Sequence, residues 1–198
     1  MTQNNGKKII AITGGIGSGK TEVSHILKRA GYKVVSCDEI TAGLYKSRKI
    51  KKSLAEIFPL AVSGKIIIKV DKKKIAEQTF SDGGKRARLN ALLHPVIISN
   101  AVKKAKRGGG RLAFVEIPLL FETDSARFFD GVIVVKRDIK ERIKAVTVRS
   151  ALTEEEVLKR INSQFDYDGA DLSDYITVEN DGDICKLESE TLKAVKKI

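Results

Sequence analysis

Gly14-Gly15-Ile16-Gly17-Ser18-Gly19-Lys20-Thr21 is an unbroken Gly-x-x-x-x-Gly-Lys-Thr phosphate loop, and the apolar run Ile9 to Ile12 stands directly before it. A strand that ends in a glycine-rich turn and reopens as a helix aims consecutive backbone N–H groups, and the helix N-terminus, at one point. Polyphosphate is then held without a separate side chain for each oxygen. Lys20 is placed to bridge the terminal phosphates and Thr21 to hold Mg²⁺. Val23, Ile26 and Leu27 follow at helical spacing, which sets the motif in a strand–loop–helix context rather than in a chance glycine-rich turn. The expected ligand is a nucleoside triphosphate. The expected fold is a three-layer α/β/α arrangement of the P-loop NTPase type around a parallel sheet.

The 198 residues suit one such domain with inserted parts, and 42% hydrophobic residues supply a sizeable core. No stretch approaches the ~18 consecutive apolar residues of a membrane span, and the polar start Met1 to Gly6 lacks a signal-peptide core. These features predict a soluble, cytoplasmic chain with no membrane partner. Cys37 and Cys185 stand far apart without a metal-binding pattern, so neither a disulfide framework nor a zinc site is indicated.

The net charge of +12 is unevenly spread: residues 1–149 carry 31 Lys/Arg against 13 Asp/Glu, and residues 150–198 carry 6 against 12. Between Gly83 and Arg111 there are eight cations and no carboxylate. Such a segment attracts nucleic acid or a phosphorylated metabolite, or is a solvated lysine-rich face. A nucleic-acid groove is expected to interleave aromatics with its cations, and aromatics make up only 6% of this chain. A small anionic substrate is the better expectation, with no nucleic acid.

Periodicity and breakers give the organisation. A helix over 20–30 ends at Gly31, and Tyr32 to Ser36 forms a second strand whose end presents Asp38. Residues 39–108 read as a helical insertion rather than a second sheet, broken near Pro59, Ser63-Gly64, Ser81 to Gly84 and Pro95. Arg111 to Ile117 and Gly131 to Val135 return as strands of the same parallel sheet. Helix resumes from Asp138, and Thr153 to Glu156 has the form of a capping box. Residues 165–174 read as a polar loop, Tyr175 to Val178 as the last strand, and 184–197 as a closing amphipathic helix. The expected division is a core of 1–38, 109–137 and 174–198, an insertion of 39–108, and a lid of 138–173.

A phosphoryl acceptor needs a carboxylate to align its hydroxyl and take the proton. In parallel α/β sheets ligands gather beyond the carboxyl ends of the strands, which makes Asp38 the leading candidate. Its other reading is a cap on the next helix. Glu116, at the third strand's end, either binds a magnesium-bound water or is an ordinary strand terminus. Arg142, Arg149 and Arg160 are candidate lid cations or parts of a solvated helix face. His94-Pro95 has no role assignable from residue chemistry alone.

With these residues in place the chain resembles the dephospho-coenzyme A kinases. Ile12 to Lys20, Asp38, Leu89 to Pro95 and Ile117-Pro118-Leu119-Leu120-Phe121-Glu122 recur in that order, and the resemblance spans nearly the whole length. It implies ATP-dependent phosphorylation of the ribose 3′-hydroxyl of dephospho-coenzyme A, the last step of coenzyme A synthesis. It further implies that Gly15 and Gly17 to Glu22 wrap the ATP phosphates, Glu22 through its backbone, and that Asp38 is the base. His94, Pro95, Glu116, Pro118 and Leu119 would border the acceptor, and Asn180 and Gly182 the adenine.

Several positions depart from the family pattern. Ser36 replaces the first acid of an Asp-x-Asp pair, and Thr21-Glu22 replaces Ser-Thr. Of two lid arginines four residues apart, Arg149 fills the second position, Ala145 occupies the first, and Ala170 stands where a basic residue is usual. Arg142, one turn earlier on a similar face, is the expected substitute. Two alternatives remain: another small-molecule kinase of the nucleotide or shikimate type, and a non-catalytic nucleic-acid-binding ATPase.

Overall fold

The structure is a computed structural model and describes residues 6–64 and 67–198. Five strands build the main sheet: β1 (Lys8–Thr13), β2 (Lys33–Ser36), β5 (Leu112–Glu116), β6 (Gly131–Lys136) and β7 (Ile176–Glu179). Their order is β2-β5-β1-β6-β7, and every neighbouring pair is parallel. Parallel strands are covered on both faces, which explains why β1, β5 and β6 read as apolar runs rather than alternating patterns. The chain leaves β1 toward β2 on one side and later returns to β6 on the other. The order therefore reverses at β1, and in open α/β sheets such a reversal opens a ligand crevice beyond the strand ends.

Helix α1 (Lys20–Arg29) buries Val23, Ser24, Ile26 and Leu27. Its end follows from Gly31, whose φ of 87° lets the Tyr32 N–H reach back to Leu27 O at 3.0 Å. The core joins Ile10 and Ile12 of β1 to Ile26 and Leu27, and to Leu187 and Val195 of the closing helix (Ile184–Lys196). Each fully buried aliphatic side chain of this kind is worth about 2 kcal/mol.

The chain divides into two compact units, Met1–Ser36 with Val102–Ile198, and Cys37–Ala101. The second unit begins with α2 (Cys37–Leu44) and α3 (Arg48–Ile57), and packs Ile50, Leu54, Phe58, Ala61 and Ile75. It also corrects the expectation of a helical insertion with no second sheet. Val62–Ser63 (β3) and Lys69–Val70 (β4) form a short antiparallel pair. The β-branched Val62 and Val70 face each other there, and Gly64 at φ 90° turns the chain between them. After α4 (Lys72–Ser81), helix α5 runs Gly83–Lys106 straight through Pro95, where a break was expected. Proline removes one N–H donor from a 24-residue ladder, and the apolar side chains Leu93, Ile97 and Ile98 are buried around it.

Two further helices, α6 (Ile139–Ser150) and α7 (Glu154–Asn162), fall in the first unit with the segment that follows them. Asp138 caps α6 through Lys140 N and Glu141 N, and the expected capping box opens α7, with Thr153 and Glu156 bonded reciprocally. Among the described residues no helix is long and apolar enough to cross a membrane.

Candidate active site

The phosphate loop leaves β1 at its carboxyl end, where the sheet order reverses. Its curvature depends on glycine: Gly17 lies at φ 78° and Gly19, the N-cap of α1, at φ 98°. A Cβ at Gly19 would also collide with the Asn180 side chain. Lys20 turns back along the loop and donates to Gly14 O at 2.7 Å and Gly15 O at 2.9 Å. Ser18 is buried, and its backbone N–H donates to Gly15 O at 3.1 Å within the loop. Glu22 is exposed on the first turn of α1, with one carboxylate oxygen 3.9 Å from His25 Nδ1.

Thr21 Oγ1 donates to Glu116 Oε1 at 2.8 Å. Glu116 ends β5 in register with Ile12 of β1 and Ser36 of β2, and is only 8% exposed. A hydroxyl and a carboxylate so close at the head of the loop are hard oxygen donors of the kind Mg²⁺ takes, alone or through water. Their chemistry fits that ion. Directly beyond β5, Pro118 and Leu119 form a half-buried turn, and the Ile117 N–H is bonded to Ile12 O at 2.9 Å.

Beyond β7, the Asn180 N–H donates to Lys136 O at 2.8 Å and Asn180 Nδ2 to Ser18 O at 2.9 Å. Asn180 is thus tied to the phosphate loop itself, with exposed Gly182 in the turn that follows. In the second unit, Asp38 is exposed on the first turn of α2, two residues past the end of β2. It lies inside the helix rather than at a cap. His94 is half-buried on α5 with Nδ1 enclosed and unbonded, and burial lowers its pKa below the ordinary value, which favours neutral imidazole. Pro95 beside it is exposed.

Arg149 is exposed near the end of α6. Arg142 departs from the expectation of a lid cation. It is 3% exposed, its Nε donates to Ile16 O at 3.0 Å, and its Nη1 donates to Asp168 Oδ2 at 3.1 Å. The other terminal nitrogen lies against Gly15, where a Cβ would overlap it. Swinging this guanidinium over a transferring phosphoryl group would break both bonds. The reason is the rotation of α6: Arg142 and Val146 share its buried face.

Three residues around the loop, Gln164, Tyr167 and Asp168, have no role in the sequence-based expectations. Gln164 Oε1 accepts the Ile16 N–H at 2.7 Å. The Tyr167 hydroxyl is 3.0 Å from Thr13 Oγ1, both buried. Asp168 holds Arg142. Tyr167 also belongs to an aromatic cluster in which Phe121 packs 4.7 Å from Phe165 and 5.1 Å from Tyr175. The four aspartates of 165–174 suggested an open polar loop; the usable signal was the Phe165-x-Tyr167 pair set among them.

Comparison with known proteins bears on the family. The family profile described as dephospho-CoA kinase matches residues 8–186. A dephospho-CoA kinase of Thermus thermophilus is 35% identical over 187 residues, covering 94% of this chain and 89% of that protein. A crystal structure from Thermus thermophilus superposes with a TM-score of 0.84 at 33% identity, over 96% of this chain and 97% of that one. Shikimate kinase from Acinetobacter baumannii shares the fold alone, with a TM-score of 0.55 at 12% identity over 96% and 94% of the two chains. The chain belongs to the dephospho-CoA kinase family.

Proposed function

We infer that this kinase transfers the γ-phosphoryl group of ATP to the ribose 3′-hydroxyl of dephospho-coenzyme A, giving coenzyme A and ADP. The observation that carries this reading is a complete phosphate loop, with Thr21 bonded to Glu116, in a chain of this family. Loop N–H groups and the N-terminus of α1 cradle the phosphates. Lys20, already folded along the loop, moves from the Gly14 and Gly15 carbonyls onto the terminal phosphates. Thr21 and Glu116 would hold Mg²⁺, which neutralises charge on the β and γ oxygens when bound. Asp38 takes the proton of the 3′-hydroxyl as its oxygen bonds to the γ-phosphorus and the bond to the β,γ-bridging oxygen breaks.

On this reading, residues 1–38, 109–137 and 174–198 form the nucleotide core. Residues 39–108, with His94 and Pro95, seat the coenzyme, and Pro118 and Leu119 border it. Residues 138–173 act as the lid, with exposed Arg149 as its cation toward the transferring group. Asn180 and Gly182 flank the adenine. The cationic stretch from Lys85 to Arg111 suits an acceptor that carries a pyrophosphate.

The test is ADP release in the presence of dephospho-coenzyme A, comparing the parent with Lys20→Ala and Asp38→Asn. Lys20→Ala is expected to lower kcat/KM by roughly two powers of ten or more. Asp38→Asn is expected to lower kcat by roughly 10²- to 10⁴-fold with little change in ATP affinity. Full turnover in Asp38→Asn would remove Asp38 from the role of base.

A further inference from the structure

We propose that Arg142 is a positioning residue that sets the phosphate loop before nucleotide arrives, as one arm of a clamp on the Ile16 peptide. Arg142 Nε donates to the Ile16 carbonyl at 3.0 Å, and Gln164 Oε1 accepts the Ile16 N–H at 2.7 Å. Both polar groups of one residue in the loop's first turn are thus held by side chains, from α6 and from just past α7. Ile16 stands between Gly15 and Gly17, two residues with no side chain to fix their own backbone.

The guanidinium is held in turn. Asp168 binds Nη1 at 3.1 Å, and the third nitrogen packs on Gly15, so the planar fork has one orientation. Gly17 is enclosed by the same helix: a Cβ there would meet the Arg142 backbone carbonyl and the Val146 side chain. Thr13, the last residue of β1, is bonded to Tyr167, one position before Asp168. The 138–173 segment therefore holds the end of β1 at Thr13 and the loop at Ile16 and Gly17.

The consequence concerns ground-state binding. A cradle assembled in advance binds the β-phosphate region of ADP and ATP alike, because no ordering of the loop is left for the ligand to drive. A cation acting on the transferring group instead distinguishes ATP chemistry from ADP binding. The proposal rests on the kinase reading only in that the loop is taken to hold nucleotide; it makes no use of the acceptor.

Calorimetric titration of Arg142→Ala with Mg-ADP and Mg-ATP tests it. The clamp predicts that both affinities fall together, by roughly tenfold or more, because the Ile16 carbonyl loses its charged donor. The KM for dephospho-coenzyme A should stay at the parent value, and Arg142→Lys should recover part of the loss. Unchanged ADP affinity with a fall in kcat would overturn the proposal, since Arg142 would then act on the transferring phosphoryl group. Should Arg142→Ala fail to fold, Gln164→Met removes the other arm at similar length and should weaken ADP and ATP in the same parallel way. Parent-like ADP affinity in that variant contradicts the clamp. A parent that binds nucleotide tightly yet transfers nothing to dephospho-coenzyme A would count against the acceptor and leave the clamp standing.

Discussion

Tyr167 shows how a single side chain near the loop shapes behaviour over pH. Burial pushes its phenol up from 10.0 to about 12, against the opposing pull of the bond to Thr13. Since the folded value lies above the unfolded one, this stabilisation is fully present below pH 10.0 and is lost as pH rises through about 12. Tyr167→Phe should lower stability near neutral pH by about 1 kcal/mol, because Thr13 Oγ1 loses its buried partner. Its unfolding midpoint should also fall less steeply than the parent's between pH 10.0 and 12. Denaturant melts across that range would show both effects, and parallel pH curves for the two proteins would contradict them. Arg142 was legible in its spacing but not in its burial. Spacing correctly set it a turn from Ala145, but the rotation of a helix about its own axis depends on packing, so nothing in the residue order said that its face is buried.

Elements were more legible than the contacts between them. The strand–loop–helix of β1 and α1, the parallel returns of β5 and β6, and the Thr153 to Glu156 box follow from patterns confined to a few neighbouring residues. Thr153→Ala should cost about 1 kcal/mol, because the Glu156 N–H loses its acceptor, Thr153 Oγ1, at the start of α7, while the Glu156 carboxylate keeps only the Thr153 backbone N–H. Thermal unfolding measures this directly, and an unchanged midpoint would show that α7 is held by packing alone. Where the reading failed, local preference was overruled. Pro95 was expected to break a helix that buried apolar residues carry through it, and the β3–β4 pair is two residues per strand, too short for a period-2 pattern to register. The aromatic cluster of Phe121, Phe165, Tyr167 and Tyr175 joins positions far apart in the chain, and composition alone filed half of it under polar loop.

For the whole molecule, the sheet order β2-β5-β1-β6-β7 gathers the phosphate loop, Glu116 and Asn180 at one end of the first unit. Reversal at β1 sets the phosphate loop there, Glu116 arrives in register on β5, and Asn180 follows β7. The basic balance of residues 1–149 and membership of the dephospho-CoA kinase family both suit an anionic acceptor. The most direct measurement is phosphorus NMR of dephospho-coenzyme A incubated with this protein and Mg-ATP. The account predicts a new 3′-phosphomonoester resonance that grows in step with ADP and needs both substrates. ADP release with no such resonance, or no turnover beside intact nucleotide binding, would contradict it.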